Sequence, residues 1–112
     1  MDEPILDSQE ALARVMNKRD LYVRLLGKFI ASETGRAETV AGLLSGGDTE
    51  GARTQIHTVK GSAANLGAKA LAEAALQLET AIRDGGDTAS PMADFSSTLT
   101  RTLDAMSAFA AQ

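Results

Sequence analysis

Cysteine and tryptophan are absent from the 112 residues of this chain, and aromatic residues of every kind make up only 4% of it. The absence of cysteine excludes a disulfide-linked scaffold and any metal site built on thiolates. The scarcity of aromatic residues disfavours a sheet, because strands draw on β-branched and aromatic side chains. Alanine and leucine are abundant instead, which favours closely packed helices.

Positive charge is also scarce, and long apolar runs are missing. The 11 lysine and arginine residues are outnumbered by 15 acidic residues, so the formal net charge is −4. Such a chain lacks the broad positive field that attracts nucleic acid or an anionic membrane. No apolar run approaches the roughly 20 residues of a membrane span, and residues 1–4 are acidic, unlike a signal peptide. We expect a cytoplasmic protein that binds neither nucleic acid nor membrane.

Apolar residues recur at three- and four-residue spacing in six segments, and no segment alternates with the period of a half-buried strand. The size suits a single domain covering residues 1–112. Short connections favour antiparallel neighbours, so the pattern predicts an all-α fold, an antiparallel up-and-down four-helix bundle. The two short helices of the N-terminal half should be peripheral or complete one end. The predicted helices cover residues 8–16, 18–32, 36–44, 49–66, 68–83 and 91–110.

Capping residues define several of these boundaries. Asp7 with Glu10 has the spacing of a capping box for the first helix. Asn17 and Asp48 are predicted N-caps of the second and fourth helices. Ser90 is the predicted N-cap of the last helix, because a proline follows it at the position where a missing N–H costs nothing.

The single histidine, His57, lies in the fourth predicted helix, away from the apolar residues. Each residue advances about 100° around a helix, so the apolar residues are centred about 140° from His57. The same geometry places Arg53, Gly61 and Ala64 within about 40° of the histidine and Lys60 about 60° away. The spacing predicts an exposed imidazole beside two cations and two very small residues. The apolar residues are Ala52, Ile56, Val59, Ala63 and Leu66.

Gly61 and Lys60 are the neighbours of His57 that indicate a chemical role for this helix. Glycine inside a helix costs about 1 kcal/mol relative to alanine, and its missing side chain lets another protein approach the imidazole closely. The cation of Lys60 can stabilise a negatively charged phosphoryl group in transit. A ring nitrogen of neutral imidazole, a form populated near neutral pH, is the candidate nucleophile. These residues indicate phosphoryl transfer through His57.

The segment from His57 to Gly67, HTVKGSAANLG, resembles the motif H-x-x-K-G-x-x-x-x-x-G of histidine-containing phosphotransfer (HPt) domains. The second glycine of that motif is also a predicted left-handed end for the helix. The resemblance extends over about Leu6 to Met106, and it includes Leu21, Tyr22, Leu25, Leu26 and Phe29 before the motif and Leu71, Leu78 and Glu79 after it. It implies a four-helix bundle in which the phosphorylated histidine is exposed midway along one helix.

The function that the resemblance implies is that of a phosphorelay intermediate. His57 would accept a phosphoryl group from the aspartate of a receiver domain and pass it reversibly to another receiver, with Lys60 and Gly61 as its catalytic neighbours. The receiver would supply magnesium, so we expect no cofactor or metal site in this chain. The implied partners are response-regulator receivers and a hybrid sensor kinase. Without an ATP-binding or autokinase motif the chain would be a phosphocarrier and not an enzyme, and we expect a monomer.

Further residues are predicted to assist the histidine. Some family members place a glutamine 22 residues after the histidine, where this chain has Glu79. Because Glu79 lies at the edge of the buried face of the fifth helix, we expect it to reach the fourth helix and orient the imidazole. The predicted receiver-docking residues surround the histidine on the fourth helix: Arg53, Thr54, Thr58, Ala64 and Asn65.

Two other functions remain open. Chemotaxis-type kinases begin with a similar His-Thr-x-Lys-Gly domain, which their own ATP-binding region phosphorylates, and this chain would then be a kinase fragment. A non-catalytic helical adaptor would bind its partners regardless of His57. A dimerisation domain of a sensor kinase is disfavoured, because its histidine is followed by a different motif with a nearby proline.

Overall fold

A computed structural model describes residues 5–112; the acidic residues 1–4, where we predicted no signal peptide, lie outside that range. The described part is all-helical and contains no strand, which confirms the predicted fold class. No helix in it is long and apolar enough to cross a membrane. The helices are α1 (Ser8–Arg14), α2 (Arg19–Glu33), α3 (Arg36–Ser45), α4 (Thr49–Asn65), α5 (Lys69–Arg83) and α6 (Ala89–Ala110).

The helices form an antiparallel bundle in which α2 and α3 share one side. Tyr22, near the start of α2, donates its hydroxyl hydrogen to the carbonyl of Leu66 at the end of α4, over 2.8 Å. Arg36, at the start of α3, contacts the side chain of Gln55 in the middle of α4 at 2.6 Å. α2 packs mainly against α6, whereas α3 packs against both α4 and α6, and its Val40 is fully buried. α5 packs against both α4 and α6.

One end of the bundle is organised around Tyr22, which is 1% exposed. Its ring meets that of Phe109 on α6 edge to face, with 5.3 Å between the ring centres. Arg19 lies over the same Phe109 ring and donates to the Phe109 carbonyl. Burial, with a smaller contribution from the charge of Asp7, raises the pKa of Tyr22 to about 12. The phenol therefore stays protonated and keeps its hydrogen bond to α4 at every pH near neutrality.

Two predicted boundaries between α1 and α2 are wrong. Met16 and Asn17 have φ angles of +57° and +59°, so α1 ends at Arg14 and not at residue 16. Asn17 therefore lies outside α2, and the position before that helix is taken by Lys18. The physical reason is that the connection between the two helices contains two residues in left-handed backbone, a conformation that asparagine tolerates better than most residues.

The start of α6 also differs from the prediction. α6 begins at Ala89, whose backbone N–H donates to the Asp87 carboxylate over 2.9 Å, so Ser90 is a helical residue and not the N-cap. Pro91 is then the third helical residue. The backbone N–H groups of a first helical turn have no partner within the helix. Proline is tolerated there because the N–H that it lacks would have no helical partner.

The predicted caps at Asp7 and Asp48 are confirmed, since both carboxylates accept a backbone N–H of their own helix. The capping box is only half formed, because the side chain of Glu10 does not return to Asp7. It binds Lys69 at the start of α5 instead, over 2.6 Å. Glu10 thus ties α1 to α5.

Gly67 follows the end of α4 and also contacts the start of α1. Its φ of +84° confirms the predicted left-handed end. Its carbonyl accepts the N–H of Asp7 over 2.8 Å, and a methyl group at Gly67 would overlap the carbonyl oxygen of Asp7. Beside it, Arg14 donates to the carbonyl of Ala64 over 3.0 Å. α1 therefore lies directly across the connection between α4 and α5.

Candidate functional site

His57 projects from the middle of α4 into solvent. The helix buries Ala52, Ile56, Val59 and Ala63 completely or almost completely. The His57 side chain, on the opposite face, is 67% exposed. The orientation predicted from the helical period is therefore the observed one.

Glu79 of α5 joins His57 and Lys60. One carboxylate oxygen, Oε2, lies 2.9 Å from Nδ1 of His57. The other, Oε1, accepts a hydrogen bond from Nζ of Lys60 over 2.8 Å. The Glu79 side chain is 11% exposed, whereas that of Lys60 is 29% exposed. Glu79 therefore contacts α4 as predicted, and Lys60 is bound to the same carboxylate.

This cluster determines which imidazole nitrogen is free. The hydrogen bond from Lys60 lowers the pKa of Glu79 below its ordinary value, and the hydrogen bond to His57 lowers it further, while burial opposes both. Glu79 is therefore ionised at neutral pH and can only accept hydrogen bonds. The hydrogen in its contact with His57 must then reside on Nδ1. In neutral His57 this leaves Nε2 with a lone pair that faces solvent, which suits a nucleophile.

The ionised state of Glu79 makes stability pH-dependent. Because its pKa is lower in the folded than in the unfolded chain, its contribution is present above the ordinary glutamate range and is lost as pH falls through the lowered value. We expect Glu79→Gln to lower the free energy of unfolding by about 1 kcal/mol at neutral pH, and the difference from wild type to vanish in acid. Urea denaturation from pH 7 to 3 measures this, and a pH-independent difference would contradict it.

The surface beside His57 is open at Gly61, where nothing lies within 4 Å of the position of an added methyl group. Thr54, Thr58 and Asn65 are exposed on α4 as well. Arg53 and Ala64 are half-buried: Arg53 pairs with Glu50 of its own helix, and the Ala64 carbonyl is bound by α1. All the predicted docking residues thus lie on the surface of the helix that carries His57. Their contact with a receiver stays a prediction.

The bond between Lys60 and Glu79 was missed by the sequence analysis, although a signal for it exists. α4 and α5 form an antiparallel pair joined around Ala68. His57 lies 11 residues before Ala68 and Glu79 lies 11 residues after it. Residues equally distant from such a connection lie opposite each other on the two helices. Lys60 is one turn from His57, and its long side chain spans that distance to Glu79.

The family model described as Hpt domain matches residues 24–110. The chain belongs to the Hpt domain family. Searches of curated proteins and of solved structures returned no match. Hpt domains are phosphocarriers with a phosphotransfer role in two-component signalling, where they interact with response-regulator receiver domains. In this Hpt domain, α1 and the first residues of α2 precede the matched range.

No group of three or more histidine, aspartate or glutamate side chains in residues 5–112 is arranged to hold a metal ion. The only multi-residue polar cluster around His57 in this part of the Hpt domain is the one formed with Lys60 and Glu79. The cluster provides an exposed imidazole whose Nδ1 hydrogen is held by a carboxylate, together with a lysine bound to the same carboxylate.

Proposed function

We propose that His57 is the phosphoacceptor of a phosphorelay, which receives a phosphoryl group from the aspartate of one receiver domain and passes it to that of another. The observation that carries this proposal is the exposed imidazole whose Nδ1 is bound to the carboxylate of Glu79. The proposed partners are receivers and a hybrid sensor kinase, which a monomeric chain would meet one after another in the cytoplasm.

The proposed transfer needs no proton to leave the histidine. Nε2 of His57 attacks the phosphorus of the aspartyl phosphate, a P–N bond forms, and the P–O bond to the aspartate breaks with its electron pair remaining on the carboxylate. Nε2 carries no hydrogen beforehand, so the ring becomes a cation that keeps its hydrogen on Nδ1. The negative charge of Glu79 stabilises that cation. The reverse steps deliver the phosphoryl group to the next aspartate.

Lys60 supports this reaction in two ways. Its hydrogen bond to Oε1 of Glu79 holds the carboxylate in place beside the imidazole. Its partly exposed ammonium group also lies next to the histidine, where a cation favours the negative charge of a phosphoryl group in transit. We expect magnesium to be supplied by the receiver.

The test is incubation of the chain with a phosphorylated receiver domain and magnesium. The expected result is a label that is labile in acid, stable in alkali and located at His57 by mass spectrometry. Faster labelling by ATP and the ATP-binding region of a chemotaxis-type kinase would instead indicate a kinase fragment. Receiver binding without any label would indicate an adaptor and would overturn the proposal.

Access beside His57 can be tested at Gly61. We expect Gly61→Leu to fold as stably as wild type or better, because glycine is a poor helix former and the space is open. Its phosphotransfer should be slower by about 10-fold or more, since a side chain would occupy the approach to the imidazole. Gly61→Ala is the control, expected to gain about 1 kcal/mol of stability with a smaller loss of rate. An unchanged rate in Gly61→Leu would refute the access role.

A further inference from the structure

Phosphorylation would leave the cluster around His57 with negative charge that its members do not compensate. Before transfer, Lys60 and ionised Glu79 carry opposite charges, and neutral His57 adds none. The phosphoryl group brings about two negative charges, whereas the imidazolium ring brings a single positive charge. Because Lys60 is already bound to Glu79 over 2.8 Å, a further cation beside His57 would be favourable.

A cleft with two arginines lies one helical turn from His57. Its volume is about 330 Å³, and it lies between the start of α4 and the end of α5. Arg53 lies 15 residues before Ala68 and Arg83 lies 15 residues after it. The two arginines therefore lie opposite each other, one turn further from the connection than His57 and Glu79. The residues that line the cleft are Thr49, Glu50, Arg53, Ile82 and Arg83.

Arg53 is close enough to bind a phosphoryl group on His57. Side chains four residues apart are neighbours on a helix, with about 5–6 Å between their Cβ atoms. The Cα–Cβ bonds of α4 tilt toward its N-terminus, which is the direction from His57 to Arg53. Since Nδ1 is bound to Glu79, a phosphoryl group on Nε2 lies on the exposed face. A guanidinium group binds phosphoryl oxygens through two parallel hydrogen bonds.

The present partner of Arg53 can be exchanged at little cost. Nε of Arg53 donates to Oε1 of Glu50 over 2.9 Å, and the Glu50 side chain is 72% exposed. Exposed ion pairs of this kind contribute little to stability. After the exchange Glu50 remains in water, and Arg83 lines the same cleft beside it. A doubly charged phosphoryl group attracts a guanidinium more strongly than a single exposed carboxylate does.

We propose that Arg53 exchanges Glu50 for the phosphoryl group when His57 is phosphorylated, and that it thereby stabilises phosphohistidine relative to the aspartyl phosphate of the receiver. This inference rests on the proposed function, because it requires phosphate on His57. The exchange moves hydrogen bonds only and changes no covalent bond. It also needs no receiver in contact with the chain, which separates this role of Arg53 from the predicted docking role.

The first test therefore uses the chain without a receiver. Phosphoramidate serves as the donor: Nε2 of His57 attacks its phosphorus, and ammonia leaves as the P–N bond of the donor breaks. Phosphorus NMR then follows the titration of the phosphoryl group. Because a nearby cation favours the dianion, the pKa of this group should be higher in Arg53→Gln than in wild type. Arg53→Lys should restore part of the difference.

Arg101→Gln is the control for this titration. Arg101 is exposed beside the α5–α6 groove, so its replacement removes the same charge at a distance from α4. We expect the pKa of the phosphoryl group in this variant to equal that in wild type. If Arg53→Gln also leaves that pKa unchanged, the proposed exchange is wrong. A rise in Arg83→Gln that exceeds the rise in Arg53→Gln would overturn the assignment to Arg53.

The second test measures the equilibrium ratio of phosphohistidine to aspartyl phosphate with a receiver that labels wild type. We expect Arg53→Gln to lower this ratio by about 5-fold, the value of one good exposed ion pair. Glu50→Gln should raise it by about 2-fold, because it frees Arg53. In the Arg53→Gln background, Glu50→Gln should have no effect. An altered docking rate does not change an equilibrium ratio, so equal ratios in wild type and Arg53→Gln would contradict the proposal.

The two tests distinguish failure of this inference from failure of the proposed function. If a receiver labels wild type but neither the pKa nor the ratio depends on Arg53, the exchange is wrong and the proposed function stands. If no receiver labels wild type but the pKa on phosphoramidate-treated His57 depends on Arg53, the proposed function fails and the binding of the phosphoryl group by Arg53 stands. A His57 that neither donor phosphorylates overturns both.

Discussion

Replacing His57 with glutamine is expected to reduce phosphotransfer to below about 0.1% of the wild-type rate, because the nucleophile itself is removed. Glutamine keeps a polar side chain of similar size but offers only a weakly nucleophilic amide. The fold should be unaffected, since the His57 side chain is 67% exposed and surface substitutions usually change stability by less than about 0.5 kcal/mol. Labelling by a phosphorylated receiver, together with a thermal melt, measures both expectations.

A substitution remote from His57 provides the control for this experiment. Thr100 is exposed on α6, and its hydroxyl group donates to the carbonyl of Ser96 one turn earlier. Thr100→Ala therefore replaces an exposed threonine without changing α4, and it should keep the transfer rate of wild type. Labelling of His57→Gln at a rate comparable to this control would show that another residue accepts the phosphoryl group.

Replacing Gly67 with alanine should cause the largest loss of stability. The φ of +84° costs an L-residue about 1–2 kcal/mol. The added methyl group would also overlap the carbonyl oxygen of Asp7, so α1 would have to leave its place across the α4–α5 connection. We expect a total loss of about 3–4 kcal/mol in the free energy of unfolding, measured by urea denaturation.

Gly85 allows the two contributions to be separated. Its φ is +71°, but no atom lies within 4 Å of an added methyl group. Gly85→Ala should therefore cost only the backbone term of about 1–2 kcal/mol. If Gly67→Ala costs no more than Gly85→Ala, the close approach of Asp7 contributes nothing to stability. Removing residues 1–14 should also make the Gly67→Ala substitution less costly, because the overlapping carbonyl is then gone.

The parts of the structure that could be predicted from sequence are those that a single helix determines. The helical period places the buried stripe of α4 and the exposed imidazole on opposite faces, whatever the rest of the chain does. Asp48 and Gly67 could be assigned as helix ends because their chemistry acts on neighbouring backbone. The resemblance to the Hpt domain family depends on the same local residues, and the match of the Hpt domain model confirms the family.

The parts that were wrong or missed depend on contacts between helices. Asn17 was expected to cap α2, but it has left-handed backbone in the connection between α1 and α2. Lys60 was predicted as a cation beside the imidazole, but its hydrogen bond to a carboxylate of α5 was not predicted. A local pattern contains no information on which side chain a neighbouring helix presents. The catalytic roles of His57, Lys60 and Gly61, the supporting role of Glu79 and the contacts of the docking residues stay predictions.

The equal distance of His57 and Glu79 from Ala68 has a consequence for how this chain can vary. Inserting one residue in α4 or α5 between the turn and either partner would rotate that partner by about 100° and shift it by 1.5 Å along the axis. The carboxylate would then lie out of reach of Nδ1 even though every original side chain was still present. The length of chain between the two residues is as necessary to the arrangement as their identity, and insertions should be tolerated only outside this hairpin.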